Sequence, residues 1–120
     1  MSNLNKGQFK AKLNKKNYTQ AYGMMIMAAN QEIGDSIYID TQINGKQAID
    51  ETIRFCQGDE EECHNRVVQL FTIDFSNLLD DYGATKTAKD VRNAIKGGSS
   101  FFALLLIPFA LFALTRTKGK

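Results

Sequence analysis

The sequence has no tryptophan, one proline (Pro108), one histidine (His64) and two cysteines (Cys56 and Cys63). So little proline speaks against a turn-rich β fold and for a helical chain. The histidine and the cysteines cannot complete a common tetrahedral zinc site: Cys63 and His64 are neighbours that a helix points about 100° apart, and no further thiol or imidazole exists. No glycine-rich phosphate loop, Gly-x-Ser-x-Gly elbow or His-Glu-x-x-His stretch occurs. A Cys63–His64 nucleophile pair is disfavoured, because adjacent helical residues meet poorly and a helix N-terminus opposes an imidazolium. A net charge of +2 is too small to imply nucleic acid. A protein without catalytic residues, metal, cofactor or small-molecule substrate is therefore expected.

Charge is also missing from one long stretch. Phe101, Phe102, Ala103, Leu104, Leu105, Leu106, Ile107, Pro108, Phe109, Ala110, Leu111, Phe112, Ala113 and Leu114 follow one another without a polar residue. A helix that is apolar on every face must be buried in protein or in lipid. The soluble part, fewer than 100 residues, is too small to wrap it. At ~1.5 Å per residue the run covers about 21 Å, and about 26 Å with Ser99, Ser100 and Thr115, just short of a ~30 Å hydrocarbon core. Arg116 and Lys118 can snorkel outward, and Lys120 adds a third boundary cation. Pro108 is tolerable in a membrane helix whose neighbours satisfy the freed carbonyl. The organisation expected is a flexible N-terminus at 1–7, a helical soluble domain at 8–96, a Gly/Ser linker at 97–100, a transmembrane anchor at 101–115 and a basic tail at 116–120. Gly97-Gly98-Ser99-Ser100, the apolar run and the basic end together resemble the Gly-Gly sorting tails of some bacterial surface proteins. Sorting also implies an export signal, which residues 1–30 match poorly: the basic stretch is long and Gln20 interrupts the segment that should be apolar.

Within the soluble part, Phe9, Leu13, Tyr18, Tyr22, Met25 and Met27 suggest one amphipathic helix over roughly 8–30. Met24, Met25 and Met27 form a candidate partner surface, with a core-facing stripe as the plainer explanation. Residues 36–43 are rich in β-formers, with Ile37, Ile39 and Ile43 at even spacing before the turn signal Asn44-Gly45. A short strand or an extended connector is expected there. Ala48, Ile49, Thr52, Ile53 and Cys56 mark a helix over about 46–57. Asp59 and Glu62 suit the ends of a capping box, and three glutamates in the first turn favour the helix dipole. That explains the acidic run of residues 59–62 better than a calcium loop, whose oxygen ligands spread over about a dozen residues around a glycine. Apolar spacing continues to Leu78, Gly83 closes that helix, and Ala88, Val91 and Ile95 mark another. The fold expected is mainly α: about four helices, a possible short strand, and the anchor.

Cys56 and Cys63 flank a turn between two helices, a spacing that permits a disulfide or two reduced thiols in the seam. A helical hairpin with paired cysteines is similar to the twin-cysteine proteins of the mitochondrial intermembrane space. Those carry two pairs at longer spacing, and this chain has one. The basic end would put Arg116, Lys118 and Lys120 on the cytoplasmic or matrix side. Lacking an export signal, the domain would instead stay in the cytoplasm. A mitochondrial inner membrane or a virion membrane reconciles the two, and a bacterial membrane is not distinguished from them. The functional expectation is a single-pass accessory or structural subunit of a membrane-associated assembly, contacting lipid and other subunits. The alternative is a tethered binding or regulatory module. A redox enzyme using Cys56 and Cys63 ranks below both, since the Cys-x-x-Cys spacing is missing.

Overall fold

The computed structural model describes residues 3–56 and 58–96. The expected linker, anchor and basic tail lie outside the described residues. Every described element is helical: α1 (Lys6–Asn14), α2 (Tyr18–Ile33), α3 (Tyr38–Ile43), α4 (Gly45–Phe55), α5 (Glu60–Gln69), a π-helical segment (Leu70–Phe75), α6 (Ser76–Asp81) and α7 (Thr85–Lys96). Because α5, the π segment and α6 run on without a break, these make six rods where the sequence suggested four.

Two corrections account for the difference. The single helix expected over 8–30 is two. Asn5 caps α1 through Gln8 N–H at 3.0 Å, and Leu4 is already buried, so the folded domain begins before residue 8. At its other end Lys16 takes a left-handed conformation (φ 65°). The N–H groups of Lys16 and Asn17 then fold back onto the carbonyls of Leu13 and Lys12, closing the helix.

The possible strand over 36–43 is instead α3. The strand had no partner to pair with, and α2 supplies what a short helix needs. The side chain of Asp35 accepts from Ile37 N–H and Tyr38 N–H, both at 3.1 Å. Buried Asn30 donates to Ser36 C=O at 3.2 Å and accepts from Ile39 N–H at 2.9 Å. Even spacing would put Ile37, Ile39 and Ile43 on one face; the helix buries Ile39, half-buries Ile43 and leaves Ile37 exposed. Asn44-Gly45 is still a turn, with Asn44 left-handed (φ 51°), but it joins two helices.

The core is organised by aromatic rings. Phe9 meets Phe71 edge-on at 5.6 Å, Phe71 meets Phe75 at 5.1 Å, and Phe75 meets Tyr22 at 5.6 Å. The π segment carries two of these rings on one buried strip. A widened turn changes which side chains share a face, and within it the Thr72 hydroxyl donates to Val68 C=O at 2.8 Å. Alanines 21, 28 and 29 of α2 are buried and let its neighbours approach. The last rod, α7, packs against α1, α2 and α6 through Ala88, Val91, Ala94 and Ile95. Its N-terminus follows Ala84, which has no side-chain cap to offer. Glu32 of α2 caps it from outside, accepting from Lys86 N–H at 2.9 Å and from Thr87 N–H and hydroxyl, both at 2.8 Å. Burial pushes the Glu32 carboxyl up, but these bonds and the Lys86 charge outweigh it and hold the group below its usual range.

Candidate functional site

Several features that core packing does not absorb gather where α4 turns into α5. Cys56 and Cys63 form a disulfide across that turn, with Cα atoms 5.3 Å apart. Gly58, between them, has φ 95°, a conformation that favours glycine. Asp59 caps α5 by accepting from Glu62 N–H at 3.1 Å, as the sequence suggested. Glu62 pairs with Arg66 at 2.8 Å. Lys16, held out by its left-handed backbone, reaches Glu60 at 2.9 Å and ties the α1–α2 corner to this hairpin. Both groups are solvated, so the pair adds little stability. With both sulfurs in the disulfide, neither is a nucleophile in this state.

The hairpin carries an exposed aromatic. Ile49 of α4 and Cys56 just after it turn inward, while Phe55 stands 89% exposed and Ile53 37%. At 100° per residue, Phe55 lies about 20° from Ala48 and about 40° from Glu51, at the margin of the apolar stripe and away from the line through Ile49 and Ile53. That displacement was readable from the spacing, yet the apolar count alone hides it.

One turn along, His64 faces Tyr18 of α2. The Tyr18 hydroxyl lies 2.8 Å from His64 Nδ1. Burial, then the Lys16 charge, lowers the His64 pKa, so the ring is neutral near pH 7 and shares one hydrogen bond with the phenol, whose direction follows the tautomer. Burial, then the Glu60 carboxylate, raises that of Tyr18. Beside the pair opens a groove of about 420 Å³ between α1, α5 and the last turn of α7. Its floor is apolar: Leu13, Val68 and Ile95. Lys10, Asn14, Asn65 and Glu61 stand around it. Neither the histidine pair nor the groove was visible in the sequence, since the residues come from three stretches far apart in the chain, 10–18, 61–68 and residue 95.

The three methionines of α2 differ in burial. Met25 is fully buried, Met24 packs against the core, and Met27 is 65% exposed. Met24, half-buried, and Met27 lie three positions apart on one side of α2, while Met25 points into the core. Among the described residues no three His, Cys, Asp or Glu side chains are placed to hold a metal ion, and no helix is long and apolar enough to cross a membrane. The anchor residues and the boundary cations Arg116, Lys118 and Lys120 lie outside the described residues. No protein-family model, no curated protein and no solved structure matches this chain.

Proposed function

We propose that the chain is a non-catalytic, membrane-tethered accessory subunit that presents its disulfide hairpin to a neighbouring subunit. The observation that carries this reading is Phe55. An aromatic ring left 89% in water on a stapled corner is already positioned to enter a partner's pocket, at little entropic cost. The tether is the uncharged run of residues 101–114. A disulfide favours an oxidising side of the membrane for the helical domain. That orientation agrees with Arg116, Lys118 and Lys120 lying on the cytoplasmic or matrix side.

The test is native sizing of the full chain after mild detergent extraction, with identification of whatever travels with it. Co-migration in a large particle of fixed composition is expected. Phe55→Ser should release the chain, since truncating a buried aromatic anchor costs about 2 kcal/mol or more, roughly thirty-fold in affinity. A free monomer under every mild extraction overturns the reading. One loosely held, exchangeable protein points instead to the regulatory module, for which the acidic turn beside Phe55 would supply specificity.

A further inference from the structure

We propose that the groove between α1, α5 and the C-terminal turn of α7 is a binding site for an anionic phospholipid, its phosphodiester headgroup at the Lys10–Asn14 side and its glycerol and upper acyl segment over Leu13, Val68 and Ile95. The proposal rests on the membrane tether proposed for residues 101–114, and two observations carry it.

The first is charge. Residues 1–31 contain Lys6, Lys10, Lys12, Lys15 and Lys16 and no acidic residue. Lys16 is engaged with Glu60, whereas Lys6, Lys10, Lys12 and Lys15 make no ion pair among the described residues. Lys10 stands at the groove, with the amides of Asn14 and Asn65 able to donate to phosphate oxygens. A lysine and two amides above an apolar floor match a ligand with one anionic end and one greasy end.

The second is reach. Ile95 forms part of the floor and lies six residues before Phe101, the first residue of the apolar run. A fully extended chain covers at most ~3.6 Å per residue, so the groove lies within about 22 Å of the point where the run begins. Whatever path those residues take, a tethered domain holds this groove close to the headgroup layer.

Glu61 opposes the site from across the groove. It supplies a test with the opposite sign from that of Lys10. The full chain is held in a neutral maltoside detergent, and the imidazole signals of the single histidine, His64, are followed by NMR. It is titrated with dihexanoyl-phosphatidylglycerol, dihexanoyl-phosphatidylcholine and inorganic phosphate. A saturable shift with the phosphatidylglycerol, much weaker with the other two, is expected. Lys10→Gln should weaken it about five-fold, the scale of one lysine at an anionic surface, and Glu61→Gln should tighten it. Equal responses to the two lipids, or an unchanged phosphatidylglycerol response in Lys10→Gln, overturn the proposal. An equally tight response to phosphate also overturns it, by making this a free-anion site. Flotation with pure phosphatidylcholine vesicles reads the tether separately. Failure there, with the phosphatidylglycerol response intact, removes the anchor and leaves the site standing.

Discussion

Tyr18 and Tyr22 sit one turn apart on α2, both with buried rings and hydrogen-bonded hydroxyls, yet they serve different ends of the molecule. The Tyr22 hydroxyl accepts from Gly45 N–H at 2.9 Å and donates to Asp40 at 2.7 Å. Burial, followed by the bond to Asp40, pushes its pKa up. That contact pins the α3–α4 junction, and Gly45 approaches so closely that an added Cβ would run into the ring. Tyr18 instead meets His64, a titratable ring beside an open groove. A hydroxyl held by backbone and carboxylate makes a fixed joint. One held by an imidazole makes a joint whose chemistry changes with pH, and it lies where the exposed Phe55 and the disulfide also gather.

The contrast can be broken most sharply at the fixed end. Gly45→Ala forces a methyl into the Tyr22 ring and should cost about 3 kcal/mol, the upper range for overpacking, seen as a lower denaturation midpoint at unchanged m-value. At the open end, Cys56→Ser with Cys63→Ser removes a short-loop crosslink and should cost about 2–3 kcal/mol. Hydrogen exchange should then rise at the end of α4 and the start of α5 while the amide of Gly45 stays protected. If protection falls equally at both, the two ends are one cooperative unit and the contrast fails.

Glu32→Ala, at the far end of α2, strips the cap from α7 and should cost about 1–2 kcal/mol. A smaller effect is expected with pH. The His64 pKa is lower in the folded chain than its ordinary value of 6.5. Below about pH 6.5 the unfolded chain therefore binds the proton more readily, and stability falls as the pH falls. Glu32, also held low, adds a loss in the same direction further into acid. Denaturation midpoints between pH 7.5 and 5 should decline in the native chain and lie flatter in His64→Gln. The smallest effect on stability is expected for Phe55→Ser, within about 0.5 kcal/mol, because that ring is already in water. A large loss there would mean that Phe55 serves the fold, not a partner.

Much of this architecture was legible in the amino-acid order. The helical class follows from apolar spacing and scarce proline, and the start of α5 from Asp59 and its glutamates, while the places of Cys56 and Cys63 around one turn permitted a bond without requiring it. These are local properties, set by residues within a turn or two of one another. Tertiary structure decided the rest. Whether residues 36–43 extend or coil depended on Asn30, buried near the end of α2, which folds back over the next segment and satisfies backbone that a sheet partner would otherwise have taken. The Glu32 cap joins residues more than fifty positions apart, and the Tyr18–His64 pair and the groove likewise assemble from distant segments. Sequence spacing names the faces of a helix, but which faces meet is settled only when the whole chain closes around one core.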